Sequence, residues 1–129
     1  MQIFHDIQDV NVPVCDDNMI YIYVLENSPQ GNIKIGRSTN MQERLQSLSG
    51  SNSGGNKIVR CAVSAATCLY ALERVAHQHF AYCRIPGTEW FDGEQLSFHE
   101  AVAYIDALFA SAEYKKCSAV RMSFVQQAT

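Results

Sequence analysis

The longest run of hydrophobic positions is Met19–Leu25, which alternates aromatic, β-branched and other apolar residues without a polar break. This composition is typical of a buried strand. Residues 26–32 then supply Asn, Ser, Pro and Gly, which are turn formers. Ile33–Gly36 reads as a returning strand. The pattern predicts a β-hairpin.

Three helices follow from apolar residues at helical spacing. Met41, Leu45 and Leu48 form one stripe, and a residue among 38–40 can cap it, with Gln42 or Glu43 completing a capping box. A second helix is predicted from Thr67 to about Arg84. A third is predicted over residues 96–111. The stripe of the second helix consists of Leu69, Leu72, Val75, Ala76, Phe80 and Cys83.

The remaining segments predict further strands. Lys57–Ala65 reads as a third strand, the alternating valines 10, 12 and 14 as an edge strand ending near Pro13, and residues 119–125 as a last strand. The order β-β-α-β-α-α predicts an α/β (α+β) fold: a small, mostly antiparallel central sheet of three or more strands flanked by helices. A single domain over residues 1–129 is expected, because domains commonly have ~100–150 residues.

Composition excludes several classes of protein. No apolar run reaches the ~18–20 residues that a transmembrane helix requires, and residues 1–17 carry acids but no Lys or Arg, unlike a signal or transit peptide. We therefore expect a soluble, cytoplasmic protein without a membrane partner. The five cysteines contain no C-x-x-C pair, so reduced thiols acting as small apolar side chains are expected.

The net charge of −3 argues against binding nucleic acid over the whole surface. The charge is unevenly distributed: residues 1–33 hold five acids and no base, whereas residues 34–93 hold seven bases and four acids, a net +3. A polyanion site is therefore expected in the middle segment. The alternative, a scattered solvated surface, is equally compatible with charge alone. The bases expected to contact nucleic acid are Lys34, Arg37, Arg44, Lys57 and Arg60.

The predicted hairpin carries the first candidate chemistry. Because side chains alternate along a strand, Tyr21 and Tyr23 share one face, and Lys34 on the partner strand can lie near them. Two phenols and an ammonium can contact a phosphate or orient a water. The alternative is a pair of half-buried sheet tyrosines with a solvated lysine.

The borders of the helical stripes carry the second set. Arg44 borders the first stripe, and Glu73 borders the second with His77 one turn later. A carboxylate at such a border can be held rigidly and still reach a metal ion, although an i, i+4 Glu–His hydrogen bond is an alternative reading. His79 falls inside the apolar stripe and is expected to be a core histidine. Trp90 and Phe91 are expected to close a core rather than to stack on bases.

These motifs together resemble the GIY-YIG endonuclease superfamily, in particular its short, phage-type branch with KIG as the second motif. The resemblance runs through Tyr21-Ile22-Tyr23, Lys34-Ile35-Gly36, Glu43-Arg44-Leu45, then Glu73, His77 and Phe80, and finally Gly87-Thr88-Glu89-Trp90-Phe91. It covers residues 19–92, with 1–18 as an acidic extension and 93–129 as a C-terminal helix and tail. Ile20 stands where the family's leading glycine would be.

The resemblance implies a metal-dependent endonuclease that hydrolyses phosphodiester bonds in nucleic acid, with DNA as the expected substrate. Glu73 would be the ligand of Mg²⁺ or Mn²⁺, and Arg44 would stabilise charge on the phosphate. Tyr21 or Tyr23 would orient or deprotonate the attacking water, Lys34 would hold the phosphate, and His77 would assist in proton transfer or fix Glu73.

The alternative is an inactive or weakly active module with the same fold that binds DNA or a protein partner. The acidity of the chain favours it. A third possibility is that residues 1–18 cover or repel the site until a partner moves them. A homodimer and a regulatory protein partner both remain open.

Overall fold

The structure, a computed structural model, describes residues 1–15, 19–49, 57–66 and 70–111. Within these ranges it is a small α+β fold in which three helices flank a five-stranded antiparallel sheet. The strands are β1 (Gln2–Phe4), β2 (Ile20–Ser28), β3 (Ile33–Ser38), β4 (Lys57–Ala66) and β5 (Trp90–Phe91). The helices are α1 (Met41–Ser49), α2 (Tyr70–His79) and α3 (Phe98–Ala110).

The sheet has the order β1-β4-β2-β3-β5, with β2 at its centre. Strand β2 pairs with β3 on one side and with β4 on the other. Both of its faces are also covered, which agrees with its unbroken apolar sequence, because a strand covered on both faces has no polar side. The predicted hairpin, the mostly antiparallel sheet and the order β-β-α-β-α-α are confirmed, and the short edge strands β1 and β5 are additional.

One strand prediction is wrong. The alternating valines do not form an edge strand; residues 10–15 have no regular structure, and the edge beside β4 is taken by Gln2–Phe4. Val10 and Val12 are nevertheless buried. Their alternation therefore reflects two buried side chains that pack an irregular segment onto the core, and not a strand. The strand predicted over 119–125 lies outside the described residues, as do Thr67 and the loop 50–56.

Each face of the sheet carries its own core. Ile22, Val24 and Ile35 belong to a cluster with α2 and α3, which we call the α2 face. Tyr21 and Tyr23 belong to a cluster with Met41 and Leu45 of α1 and with the N-terminal segment, which we call the α1 face. The two tyrosines thus share a face, as the alternation of side chains predicts.

Local signals set the helix ends. The Asn40 Oδ1 atom accepts a hydrogen bond from the Glu43 N–H at 3.1 Å, so Asn40 is the residue that caps α1. Ser97 and Glu100 form a complete capping box at the start of α3. The second helix ends at His79, earlier than predicted, and a 3-10 turn over Ala81–Cys83 follows it.

Two further expectations concern buried side chains. His79 is exposed and stacks on Tyr104, with ring centroids 4.0 Å apart, so its assignment to the core is wrong. Phe91 is fully buried, and Trp90 packs at the edge of the core, as expected. Cys61 and Cys83 are free and buried. In the described ranges, no helix is both long and apolar enough to cross a membrane.

Candidate functional site

Tyr23 lies across the backbone of Gly36, its partner in the β2–β3 register. A Cβ atom added at Gly36 would lie 2.6 Å from Tyr23 Cζ, so only glycine leaves room for the ring. Burial raises the pKa of the Tyr23 hydroxyl to about 12, opposed by the positive charge of Arg44 and reinforced by the carboxylates of Glu73 and Glu89. These three charged groups therefore act on one phenol.

Tyr21 has a different environment on the same face. Its hydroxyl donates a hydrogen bond to the Pro13 carbonyl oxygen at 2.7 Å, and burial raises its pKa above the ordinary value of a phenol. The Cys15 thiol beside it raises the pKa further. Of the two tyrosines proposed for chemistry, the structure brings Tyr23 to the charged group and ties Tyr21 to the N-terminal segment.

Glu73 stands in the first turn of α2, with its side chain only 21% exposed. Its Oε2 atom is 3.4 Å from Arg37 Nε, within ion-pair range. The same oxygen is buried and, within the described part of the chain, has no partner that satisfies hydrogen-bond geometry. A buried carboxylate oxygen in this state is costly, so a further ligand is expected to satisfy it.

His77 connects α2 to the sheet. Its Nε2 atom is 2.7 Å from the Ile35 carbonyl oxygen on β3 and 3.9 Å from Glu73 Oε1. Because a carbonyl oxygen only accepts, Nε2 must carry the proton of this hydrogen bond. The histidine therefore holds α2, and with it Glu73, against β3 at Ile35. Ile35 directly follows Ile33 and Lys34, the two residues of β3 that pair with β5.

Lys34 is buried, and this excludes the solvated lysine of the alternative reading. Its Nζ atom donates a hydrogen bond to Glu89 Oε2 at 2.6 Å and lies 5.8 Å from the centroid of the Trp90 ring. The lysine side chain is 6% exposed and that of Glu89 69%. The bond from Lys34 lowers the pKa of the Glu89 carboxyl below its usual range.

Arg44 is exposed on α1 and, among the described residues, makes no ion pair. It lines an open pocket of about 360 Å³ at the start of the helix, beside Ser38 and Asn40. Arg44 is close enough to lower the pKa of the Tyr23 phenol. Because its guanidinium is also exposed to solvent, it is accessible to a phosphate.

A second open pocket adjoins Glu73 and has a volume of about 560 Å³. Its walls contain three arginines, Arg37, Arg74 and Arg84, beside Glu73 and His77. We call it the arginine groove. Arg74 and Arg84 were not singled out from the sequence, although the helical spacing of Arg74 and Gln78 outside the apolar stripe was a usable signal.

Lys57 and Arg60 are not brought to this group. Lys57 pairs with Ser28, at the opposite end of β2 from Tyr21 and Tyr23. Arg60 pairs with the Glu26 carboxylate and lies over the Phe98 ring at 4.8 Å, on the α2 face. Neither contacts the charged groups around Tyr23, so the candidate site consists of Tyr23, Arg44, Glu73 and His77, bordered by Lys34 and Arg37.

Comparison with known proteins gives one result. The model of the T5orf172 domain matches residues 19–109, more than half of the chain. No curated protein and no solved structure matches. The matched range begins just before β2 and ends within α3, so it contains every residue of the site. The chain therefore belongs to the T5orf172 domain family, a phage-associated family of the endonuclease type.

Proposed function

We propose that the protein is a metal-dependent endonuclease of the GIY-YIG type that hydrolyses phosphodiester bonds in DNA. The observation that carries the proposal is the buried Oε2 atom of Glu73, which lacks a hydrogen-bond donor among the described residues. The same carboxylate acts on the Tyr23 phenol and lines the arginine groove. The nuclease association of the family supports the same class of reaction.

The donor atoms fit a hard divalent cation. Mg²⁺ is commonly bound by one or two carboxylates and keeps several waters for its other positions, and Glu73 offers one carboxylate with an unsatisfied oxygen. Among the described residues there is no group of three or more His, Cys, Asp or Glu side chains that could hold a metal. Glu73 would therefore hold Mg²⁺ or Mn²⁺ together with water and the phosphate. Such an ion lowers the pKa of bound water and offsets charge on the phosphate.

The protein's own groups would divide the remaining work. Arg44 would contact a non-bridging phosphate oxygen through its planar, permanently charged guanidinium. Tyr23, with a pKa of about 12, keeps its proton at neutral pH. It would therefore orient the attacking water by a hydrogen bond and would not act as a base on its own.

Three other residues would position or support these groups. His77 would fix Glu73 by holding α2 to the Ile35 carbonyl. Lys34 would support the β3 edge and add positive potential. It is already paired with Glu89, so it would contact the phosphate directly only after that ion pair opens. Tyr21 would support the N-terminal segment.

Nicking of supercoiled plasmid in Mg²⁺ or Mn²⁺ tests the proposal. Glu73→Gln keeps the shape of the side chain but weakens metal binding, and Arg44→Met removes the guanidinium; both should abolish nicking. Glu94→Gln is the matched control, because Glu94 is exposed outside the site. Equal nicking by Glu73→Gln and the wild type would contradict the proposed metal ligand.

The second candidate is a DNA-binding module that does not cut. The ion pair between Lys34 and Glu89 favours this candidate, because it neutralises the ammonium that the nuclease is expected to use to hold the phosphate. In that case the folded protein binds DNA with an affinity that falls as salt rises, shows no nicking with either metal, and is unaffected by Glu73→Gln.

A further inference from the structure

We infer that the arginine groove binds the sugar-phosphate backbone of the substrate strand beside the position of cleavage. The inference rests on the proposed function, because it extends the same site to the flanking nucleotides. It assigns the binding of the strand to Arg74 and Arg84 rather than to Lys57 and Arg60.

The groove is lined mainly by positive charge. Three guanidinium groups line it, whereas among the described residues Glu73 is the one carboxylate in its lining, and this carboxylate is already 3.4 Å from Arg37 Nε. Arg74 and Arg84 are exposed and, within the described residues, neither makes an ion pair. Arg84 also acts on the Glu89 carboxyl and lowers its pKa, but that carboxyl is already bonded to Lys34. Two exposed arginines on one open wall are suited to successive phosphates of a polyanion.

Arg84 is pre-organised for binding. Its Nε donates a hydrogen bond to the Thr88 carbonyl oxygen at 2.8 Å, which restrains the guanidinium and leaves its other donors for a ligand. An arginine side chain restrained in this way loses less conformational entropy when its guanidinium binds a phosphate. The small side chain of Ala81 lies in the same wall and leaves the groove open.

The N-terminal segment packs on the opposite face of the sheet from α2. The acidic N-terminal segment packs on the α1 face through Val10 and Val12, whereas α2, which carries Arg74, packs on the other face. The sheet therefore separates Asp6 and Asp9, the acids of this segment that the structure describes, from the groove. A protein with a net charge of −3 can in this way still present a basic path to a nucleic acid.

Binding of a fluorescein-labelled DNA duplex in EDTA, measured by anisotropy over a range of NaCl concentrations, tests the inference without cleavage. Each phosphate contact contributes about 0.9 to the slope of log K against log salt, which is roughly eightfold in affinity at 0.1 M salt. Arg74→Gln and Arg84→Gln should each lose about this amount. Arg84→Lys, which keeps the charge, should retain the slope. Lys57→Gln is the comparison variant, and its affinity should change less than twofold.

The outcomes separate this inference from the proposed function. Losses for the two groove variants no larger than that for Lys57→Gln would overturn the groove, whether or not the wild type cuts plasmid. A lowered slope in both variants, with urea midpoints equal to that of the wild type, would support the groove even if no nicking occurs. Absence of DNA binding by the wild type at low salt would also overturn it.

Discussion

Replacing Gly36 with alanine tests the close contact between the Gly36 backbone and the Tyr23 ring. The φ of Gly36 is outside the left-handed region, so its backbone accepts alanine and any cost arises from lack of space. The new Cβ would lie 2.6 Å from Tyr23 Cζ and 3.1 Å from Cε1, whereas ordinary contact begins near 3.4 Å. The Tyr23 hydroxyl oxygen lies closer still to the new Cβ, so the ring must move by on the order of 1 Å from its position across β3.

The magnitude follows from the burial of the ring. Tyr23 is 1% exposed, so its displacement is transmitted to the core of the α1 face, and overpacking of this kind costs about 1–3 kcal/mol. The reduced flexibility of the unfolded chain returns about 0.4–1 kcal/mol. If Tyr23 orients the attacking water, a displacement near 1 Å also lowers the nicking rate by about 100-fold.

A double-mutant cycle with Tyr23→Leu isolates the contact, because leucine lacks the ring atoms that alanine would meet. Urea unfolding of the wild type, both single variants and the double variant should give a coupling energy of about 1–3 kcal/mol. In the Tyr23→Leu background, Gly36→Ala should stabilise by about 0.4–1 kcal/mol. An equal cost of Gly36→Ala in both backgrounds would refute the packing argument.

Three further predictions test separate contacts. Tyr21→Phe removes a hydrogen bond to the N-terminal segment and should lower the free energy of unfolding by about 0.5–1.5 kcal/mol, whereas Tyr23→Phe should lower the nicking rate more than Tyr21→Phe does. The Glu89 carboxyl, whose pKa Lys34 holds below 4.5, stabilises the fold above that pH and loses its effect as the pH falls through the lowered pKa. Urea midpoints at pH 7 and pH 3 should therefore differ more for the wild type than for Glu89→Gln, and an identical difference would contradict the ion pair. Ser97→Ala removes the capping box of α3 and should cost about 1 kcal/mol in urea unfolding with unchanged nicking per folded molecule.

Several elements of the fold were predictable because their signals are local. The aromatic and β-branched run that ends at Leu25 specifies a central strand, and the turn residues after it specify the hairpin. Asn40 and Met41 begin α1 where the capping pattern indicates. Glu73 and His77 share one side of α2 and meet at the β3 edge, as their i, i+4 spacing suggests.

The errors arise where a side chain's environment depends on distant segments. His79 has the helical phase of a core residue, yet α2 ends at that residue, and the histidine stacks on Tyr104 at the surface. The valines at 10 and 12 alternate as in a strand, yet Gln2–Phe4 occupies the available edge. The placement of Arg60 depends on a distant segment in the same way: it pairs with Glu26 across the strand pair, and its contact with nucleic acid stays a prediction.

The sequence by itself determined the elements and their faces, because side-chain periodicity and capping act over a few residues. Only the tertiary structure decided which of two neighbouring tyrosines faces the charges: Pro13 takes the hydroxyl of Tyr21, and Gly36 makes room for that of Tyr23. It also decided that Lys34 is paired and that Arg74 and Arg84 share a groove. These outcomes depend on contacts between segments far apart in the chain, and no local pattern specifies them.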